Sequence, residues 1–240
     1  MVSGAGFTGL PSGVAVSHLA VYDWPAADGV RGGTPHMHLT CSEAYVVTGG
    51  RGAVQTLTTS GYEVTPLVPG TVAWFTPGTI HRLVNEEDLR ITVLMQNSGL
   101  PEAGDAVLTL PPRYLADPGT YAAATAIPPD APEEEQARAA RARRDLALEG
   151  YRALCDADGP EALAAFHRAA AALVRPRLAE WRERWRRGAD AAAAATGEQL
   201  DRLETGDAGH LAEAAVRAEQ PSAHGKFGMC GRLDVYSGPA

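Results

Sequence analysis

The chain has 240 residues, 45% hydrophobic and 21% charged, with a formal net charge of -8. That is enough apolar content to bury a core in one large or two small domains, and it excludes a disordered or collagen-like chain. The acidic balance argues against nucleic acid, whose phosphates need a net basic surface, and no apolar run approaches the ~20 residues that span a membrane.

Composition shifts along the chain. Up to Ile127 there are five Arg, no Lys and ten acids; from Pro128 there are 15 Arg, Lys226 and 19 acids. The first part is rich in Val, Thr, Gly and Pro and the second in Ala, Arg and Glu, the habits of strands and of helices. Met1 to Leu10 show neither a basic region nor an apolar block, so no secretory leader is expected. Cys41, Cys155 and Cys230 are an odd number at wide spacing, which fits free thiols in a reducing cytoplasmic setting and not a disulfide framework.

In chain order, residues 14–22 read as a strand, and Asp28-Gly29 and Gly32-Gly33 break the chain after it. Residues 42–47 form the next strand, ended by Thr48-Gly49-Gly50. Residues 52–58 and 62–66 follow, joined by a Ser60-Gly61 turn. Pro69-Gly70 turns into 71–75, Pro77-Gly78 into 80–85, and Asp88 opens 89–96. Many short strands at this spacing predict a sandwich or barrel. Residues 97–129 are a Pro-rich, poorly patterned connection expected to wrap the surface. Pro132-Glu133-Glu134-Glu135 then opens a helix, with proline in the first turn and acids against the positive end of the dipole. It runs to about Cys155, where Asp158-Gly159-Pro160 stops it. A second helix continues past Arg175-Pro176, and a third covers 178–195 and ends at Gly197. Shorter helices are expected over 198–203 and 208–218, and 227–236 is extended again. This divides the chain into a β part over 1–128, a helical part over 129–220 and a tail, 221–240, that offers an edge strand to the barrel.

Four residues of the β part carry chemistry. His36 and His38 flank Met37, and residues two apart in a strand project to one face. Glu43 lies five residues beyond His38, the wrong parity for one continuous strand. Residues 39–42 must therefore bend and return Glu43 on the next strand facing the same way, with Tyr45 and Val47 sharing its face. His81 comes from a later hairpin, after Pro77-Gly78. Three neutral imidazoles and a carboxylate suit a divalent first-row metal. A single histidine on an apolar strand is more often a packed residue than a ligand; the pair, the acid and the third histidine together favour the metal.

These segments resemble the two motifs of the cupin superfamily. The first motif is His, any residue, His, three or four residues, Glu, six residues, Gly, and His36, His38, Glu43 and Gly50 fit it. In the second, Gly70, Gly78, His81 and Asn85 fall at the family's spacing. Two positions depart: Val30 stands where the first motif has a glycine, and Thr76 where the second has a proline, with Pro77 one place later. Neither is a ligand position. The resemblance spans about residues 14–96. It implies a mainly β fold, a cupin-type antiparallel jelly-roll barrel, followed here by a helical C-terminal region. It also implies that His36, His38, Glu43 and His81 hold one divalent transition metal, whether Fe, Mn, Ni, Zn or Cu. The family includes dioxygenases, isomerases, decarboxylases, lyases, sugar binders, sensors and storage proteins, so the resemblance bears on fold more than on reaction.

Four protein ligands leave about two positions on an octahedral metal for water, O₂ or a bidentate small molecule. Tyr45, Gln55, Trp74, Arg82, Met95 and Gln96 are candidate pocket walls, Tyr45 favoured because it shares a face with Glu43. Trp74 and Phe75 have opposite parity, so only one of them faces inward. Cys41, between two ligands, reads as a loop residue ahead of a catalytic thiol. In the helical half, Leu163, Phe166, Ala170 and Leu173, then Leu178, Trp181 and Trp185, form packing stripes. The arginines between 175 and 187 are expected to pair with acids of the same segment. A helix or the tail lying near His36 and His81 would instead make a lid. The expected function is a metal-dependent enzyme of oxygenase or isomerase type acting on a small molecule. The alternative is a binding or sensing protein without turnover. A third reading gives the helices an assembly role, with a homodimer as the expected state.

Overall fold

The computed structural model describes residues 10–157 and 159–236. Residues 1–9, on which the reading of no secretory leader rests, Asp158 of the helix stop and residues 237–240 of the tail lie outside the described residues.

Among the described residues nine strands form one antiparallel sheet. In the first half these are β1 (Ala15–Val21), β2 (His36–His38), β3 (Glu43–Thr58), β4 (Gly61–Leu67), β5 (Val72–Phe75), β6 (Ile80–Met95) and β7 (Ala106–Leu108). The tail adds β8 (Ala223–Phe227) and β9 (Gly231–Val235). The sheet order is β4-β3-β6-β1-β9-β8, with β2 pairing β6 and β7, and β5 pairing β3. This is a jelly-roll barrel followed by a helical region.

The two 16-residue strands β3 and β6 run antiparallel through its middle. They replace the four short strands expected over 42–58 and 80–96. Thr48-Gly49-Gly50 and Asp88 do not end them but form a corner, where the register shifts between Val47 and Gly49, Gly49 and Arg51, and Arg51 and Gly52. Such bulges bend a strand and raise its twist. Gly50 sits there at φ 69, and a Cβ on it would lie 2.1 Å from the Asp88 carbonyl oxygen. Gly50→Ala is therefore expected to destabilise the fold by at least about 1–2 kcal/mol, the usual cost of a left-handed non-glycine residue. A lowered urea midpoint reads this, and a wild-type midpoint would contradict it.

The corner also switches which residues face in. Before it, odd-numbered Glu43, Tyr45 and Val47 are buried inward. After it, even-numbered Val54 and Thr56 share the face of His81, Thr56 standing directly opposite it. A one-residue slip in register moves every side chain beyond it to the other face.

Residues 97–129 are not a surface loop. They hold β7 and two short helices, α1 (Pro112–Leu115) and α2 (Pro118–Thr125), and the run from Asp105 to Leu110 is buried. Because β7 is covered on both faces, its apolar run shows no alternation to read.

The helical half comprises α3 (Glu133–Cys155), α4 (Glu161–Val174), α5 (Leu178–Trp185) and α6 (Ala191–Glu204). Pro132 precedes α3 and three glutamates fill its first turn. One face of α3, with Ala137, Ala140, Arg144, Ala147, Leu148 and Tyr151, is buried at helical spacing. A single core runs from Leu19, Tyr45 and Leu83 of the barrel to Leu148, Phe166 and Trp181 of the helices. The expected third helix is interrupted by a π turn at Arg186–Asp190, and Gly197 does not end it but lies inside α6. Residues 198–203 thus belong to α6, and only a 3-10 turn, Gly209–Glu213, occupies the expected helix over 208–218. The tail folds back as the β8–β9 hairpin, and β9 pairs with β1 from Ser17 opposite Val235 to Val21 opposite Gly231. No helix of the described residues is long and apolar enough to cross a membrane.

Candidate metal centre

Strand β2 carries His36, Met37 and His38, all buried. His36 stands opposite His81 in the β2–β6 pairing. The Gly78 N–H donates to the His38 carbonyl at 2.9 Å, which ties the Pro77-Gly78 turn to β2. Residues 39–42 bend between strands, and Glu43 opens β3. The two distant segments of sequence therefore meet because their strands are neighbours. His36, His38, Glu43 and His81 each offer one ligand atom, all within 4.8 Å of one another and all on buried residues.

The orientation of these side chains is informative. The Nε2 atoms of His36 and His81 lie 3.1 Å apart. Glu43 Oε2 lies 3.2 Å from His38 Nε2 and 3.1 Å from His81 Nε2. On the far side of each ring, Nδ1 meets an acceptor: the Thr34 carbonyl at 2.8 Å for His36, Asp105 Oδ2 at 3.1 Å for His38 and the Thr79 carbonyl at 3.1 Å for His81. Acceptors at Nδ1 assign the proton there and leave the Nε2 lone pairs aimed at the centre. Nitrogen lone pairs and a carboxylate oxygen gathered this closely repel one another unless positive charge sits among them. Glu43 Oε2 is buried and accepts no well-formed hydrogen bond. This donor set fits a divalent first-row metal.

The protonation equilibria agree. Burial holds the His36 pKa well below its ordinary value, helped by neighbouring His81 and His38, so His36 is neutral. Burial also opposes charge on His38, but the Asp105 carboxylate bonded at Nδ1 and the Glu43 carboxylate close to Nε2 outweigh it and raise its pKa to about 9. Burial works against the Glu43 charge, yet His81 and His38 hold its carboxyl well below the usual range. In the metal-free protein a proton on His38 supplies part of the positive charge that the cluster requires.

Asp105 is the supporting residue that the sequence did not reveal. It is fully buried, holds His38 Nδ1 through one carboxylate oxygen, and accepts from the Thr40 N–H and hydroxyl through the other, at 2.8 and 2.5 Å. It thereby fixes both a ligand ring and the bend that returns Glu43. Its one signal is position, an acid immediately before the apolar run Ala106-Val107-Leu108. Asp105→Asn is expected to lower metal affinity about 10- to 100-fold, the usual effect of losing such a partner. Competition against a chelator of known affinity measures this, and an unchanged constant would contradict it.

A cavity of about 750 Å³ includes His36, His38 and Glu43 in its wall. Tyr45 and Met95 line it; Gln55 and Trp74 do not, which corrects the expectation for both. Trp74 is 72% exposed because it stands opposite Ala44, on the outer face. Phe75, opposite Glu43, is the inward residue of the pair, its ring 4.3 Å from that of His81. Gln55 stands opposite Arg82 on the face turned away from His81, a result of the parity switch at the corner. Arg82 is itself buried in an ion pair with Asp28 at 2.6 Å, and Gln96 is exposed, accepting from the Ser42 N–H. Cys41 is buried, and burial with the nearby Asp105 charge pushes its thiol pKa upward, so it stays protonated and is no nucleophile. Sequence patterns missed the lining residues from the second half, among them Arg184 and Arg187 near the π turn, and Met229, Cys230 and Leu233 from the tail.

No protein-family model matches the sequence, and no curated protein matches it. Solved structures similar to it include a Klebsiella pneumoniae protein with a double-stranded β-helix domain, at 20% identity and TM-score 0.27, covering 35% of this chain and 64% of that one. The WlaRB TDP-quinovose 3,4-ketoisomerase of Campylobacter jejuni is 14% identical at TM-score 0.29, covering 34% of this chain and 60% of that one. The nucleoside dehydratase Pac13 of Streptomyces is 16% identical at TM-score 0.32, covering 42% of this chain and 71% of that one. The chain thus spans under two thirds of the length of the first two. By its own strand order the chain is an antiparallel jelly-roll barrel with the cluster set inside it, followed by a C-terminal helical region.

Proposed function

We propose that the protein is a metal-dependent enzyme of oxygenase or isomerase type, acting on a small molecule held in the barrel cavity. His36, His38, Glu43 and His81 would hold one divalent transition metal. The observation that carries this is the common orientation of three Nε2 atoms and an unsatisfied carboxylate oxygen about one point. A metal held there supplies Lewis acidity toward a substrate oxygen. The protein's own residues do the rest. Glu43 and the three rings fix position, and Asp105, Thr34 and Thr79 fix the rings. Leu19, Val93, Met95 and Leu233 make an apolar wall that excludes water from the bound molecule. Tyr45 is buried, its hydroxyl has no hydrogen-bond partner, and burial together with the Glu43 charge raises its pKa well above the ordinary value. It stays protonated at neutral pH and is free to donate one hydrogen bond to a ligand oxygen.

One observation favours the second reading, a binding or sensing protein without turnover. Among the described lining residues Tyr45 is the one buried hydroxyl, so acid–base groups beyond the cluster are few. Oxygen consumption on a panel of catechols, keto acids and thiols, run beside solvent-deuterium incorporation into enolisable sugars and keto acids, separates the cases. Oxygen uptake marks an oxygenase and deuterium incorporation an isomerase. Binding without either marks a binder. The expected homodimer belongs to this proposal as well, with Leu200 and Leu203 exposed on α6, and sedimentation of the full chain tests it.

Metal uptake is expected to depend on pH through His38. Its pKa rises from the ordinary 6.5 to about 9 in the folded, metal-free protein. The charged ring therefore contributes stability that is full below pH 6.5 and is lost as pH rises through about 9. A metal competes with that proton, so its affinity moves the opposite way and increases from pH 6.5 toward 9. Binding at pH 7 should release about one proton per metal. Calorimetry in buffers of different ionisation enthalpy counts it, and no proton release would contradict the assignment.

A further inference from the structure

The mouth of the cavity is built partly by the helical half, and that part is basic. α5 is anchored by Trp181, buried, whose indole N–H donates to the Ala103 carbonyl at 3.2 Å. The π turn that follows is pressed against the barrel. A Cβ built on Gly13, which has φ 67, would lie 2.8 Å from Ala189 Cα, and one on Gly188 would lie 3.5 Å from the Ser98 carbonyl oxygen. π turns are rare and recur at functional positions. Here the turn lies where the helix meets the cavity, and Arg184 and Arg187 both line that cavity. Arg184 is held by Glu180 at 2.8 Å, whereas Arg187 has no ion-pair partner among the described residues. Glu102 also lines the mouth, its carboxylate accepting the Gly99 N–H at 2.8 Å. The buried cluster marks the deep end of the cavity, and the exposed Arg187 and half-buried Arg184 mark the open end.

We propose that this mouth is an oxyanion subsite: the molecule bound in the barrel is elongated and carries a carboxylate or phosphate at its outer end, held by Arg187 with Arg184 beside it. A guanidinium offers a planar fork that matches either oxyanion through paired hydrogen bonds. An uncommitted cation at a cavity mouth also raises the local concentration of anions and their rate of capture. The apolar wall between the two ends suits a short carbon chain. The proposal deepens the reading of the cavity as a small-molecule site, but the oxyanion end does not require the metal.

The full chain, loaded with Zn²⁺ and separately metal-free, is titrated calorimetrically with butyl phosphate, pentanoate and neutral pentanamide. At least one anion is expected to bind about tenfold more tightly than the amide in both forms. Arg187→Gln, a change at an exposed position, should remove that preference while zinc content and the unfolding midpoint stay at wild-type values. Arg184→Gln should reduce it in part. The phosphate and carboxylate arms show which oxyanion the site takes. Equal affinity for anion and amide, no binding of any probe, or a preference that survives Arg187→Gln overturns the proposal. Failure to take up zinc with the anion preference intact would overturn the metal centre alone.

Discussion

His81→Ala is expected to lower metal affinity by more than about 100-fold, beyond the upper end of what losing an outer hydrogen bond costs. His81 is fully buried, and its Nε2 lies 3.1 Å from both His36 Nε2 and Glu43 Oε2, so it sits at the centre of the donor set. Removing the ring leaves three donors and a void beside Phe75 and Tyr45, whose rings lie 4.3 and 6.4 Å from it. Cys41→Ala is the matched control. That thiol is buried one strand bend away and does not belong to the cluster, so the variant should keep wild-type metal content. Chelator competition, with circular dichroism to confirm folding, reads both. Equal metal content in the two variants would contradict the assignment of His81.

The second large effect is on stability. Arg144→Met is expected to cost about 3–5 kcal/mol, because several hydrogen bonds from one buried charged donor are lost together. Arg144 is 1% exposed, on the inward face of α3. Its guanidinium donates to the carbonyls of Trp24 at 2.9 Å, Pro25 at 2.8 Å and Gly32 at 3.4 Å, and its Nε to Asp145 at 3.1 Å. Methionine keeps much of the stem volume but leaves those carbonyls, part-buried at Trp24 and Pro25 and buried at Gly32, without that donor, at about 1–3 kcal/mol for each that water cannot reach. The clamped segment runs directly into Thr34 and β2, which carry the His36 ring and its carbonyl acceptor. The loss should therefore appear in urea unfolding and also as weaker metal binding under conditions where the variant is folded. A change within about 1 kcal/mol of wild type would show that the clamp is dispensable.

How much of this was legible in the sequence depended on how local the signal was. The His36-Met37-His38 spacing, the required bend before Glu43 and the Pro77-Gly78 turn before His81 are short-range features, and the barrel arranges them as the strand period dictates. The corner was not legible, because Gly49-Gly50 reads equally as a turn or as a bulge inside a longer strand. Beyond the corner the bulge shifts register, so parity counted from Glu43 no longer holds and Gln55 faces away from His81. Trp74 and Phe75 could not be separated by parity alone; pairing with Ala44 and Glu43 decides between them. Asp105, Arg184 and Arg187 reach the cavity only through tertiary packing, across a segment without periodicity and a helix whose π turn no propensity predicts. The arginine cluster read as a solvated, self-paired surface in sequence, and Glu180 and Glu183 do pair Arg184 and Arg186, but Arg187 lines the cavity.

The most direct test is elemental analysis of the untagged full chain, as purified and after incubation with Fe, Mn, Ni or Zn followed by desalting. The cluster predicts about one transition metal per chain in at least one of these states, lost in His81→Ala. A wild-type chain that carries no transition metal as purified and retains none after any addition would contradict it.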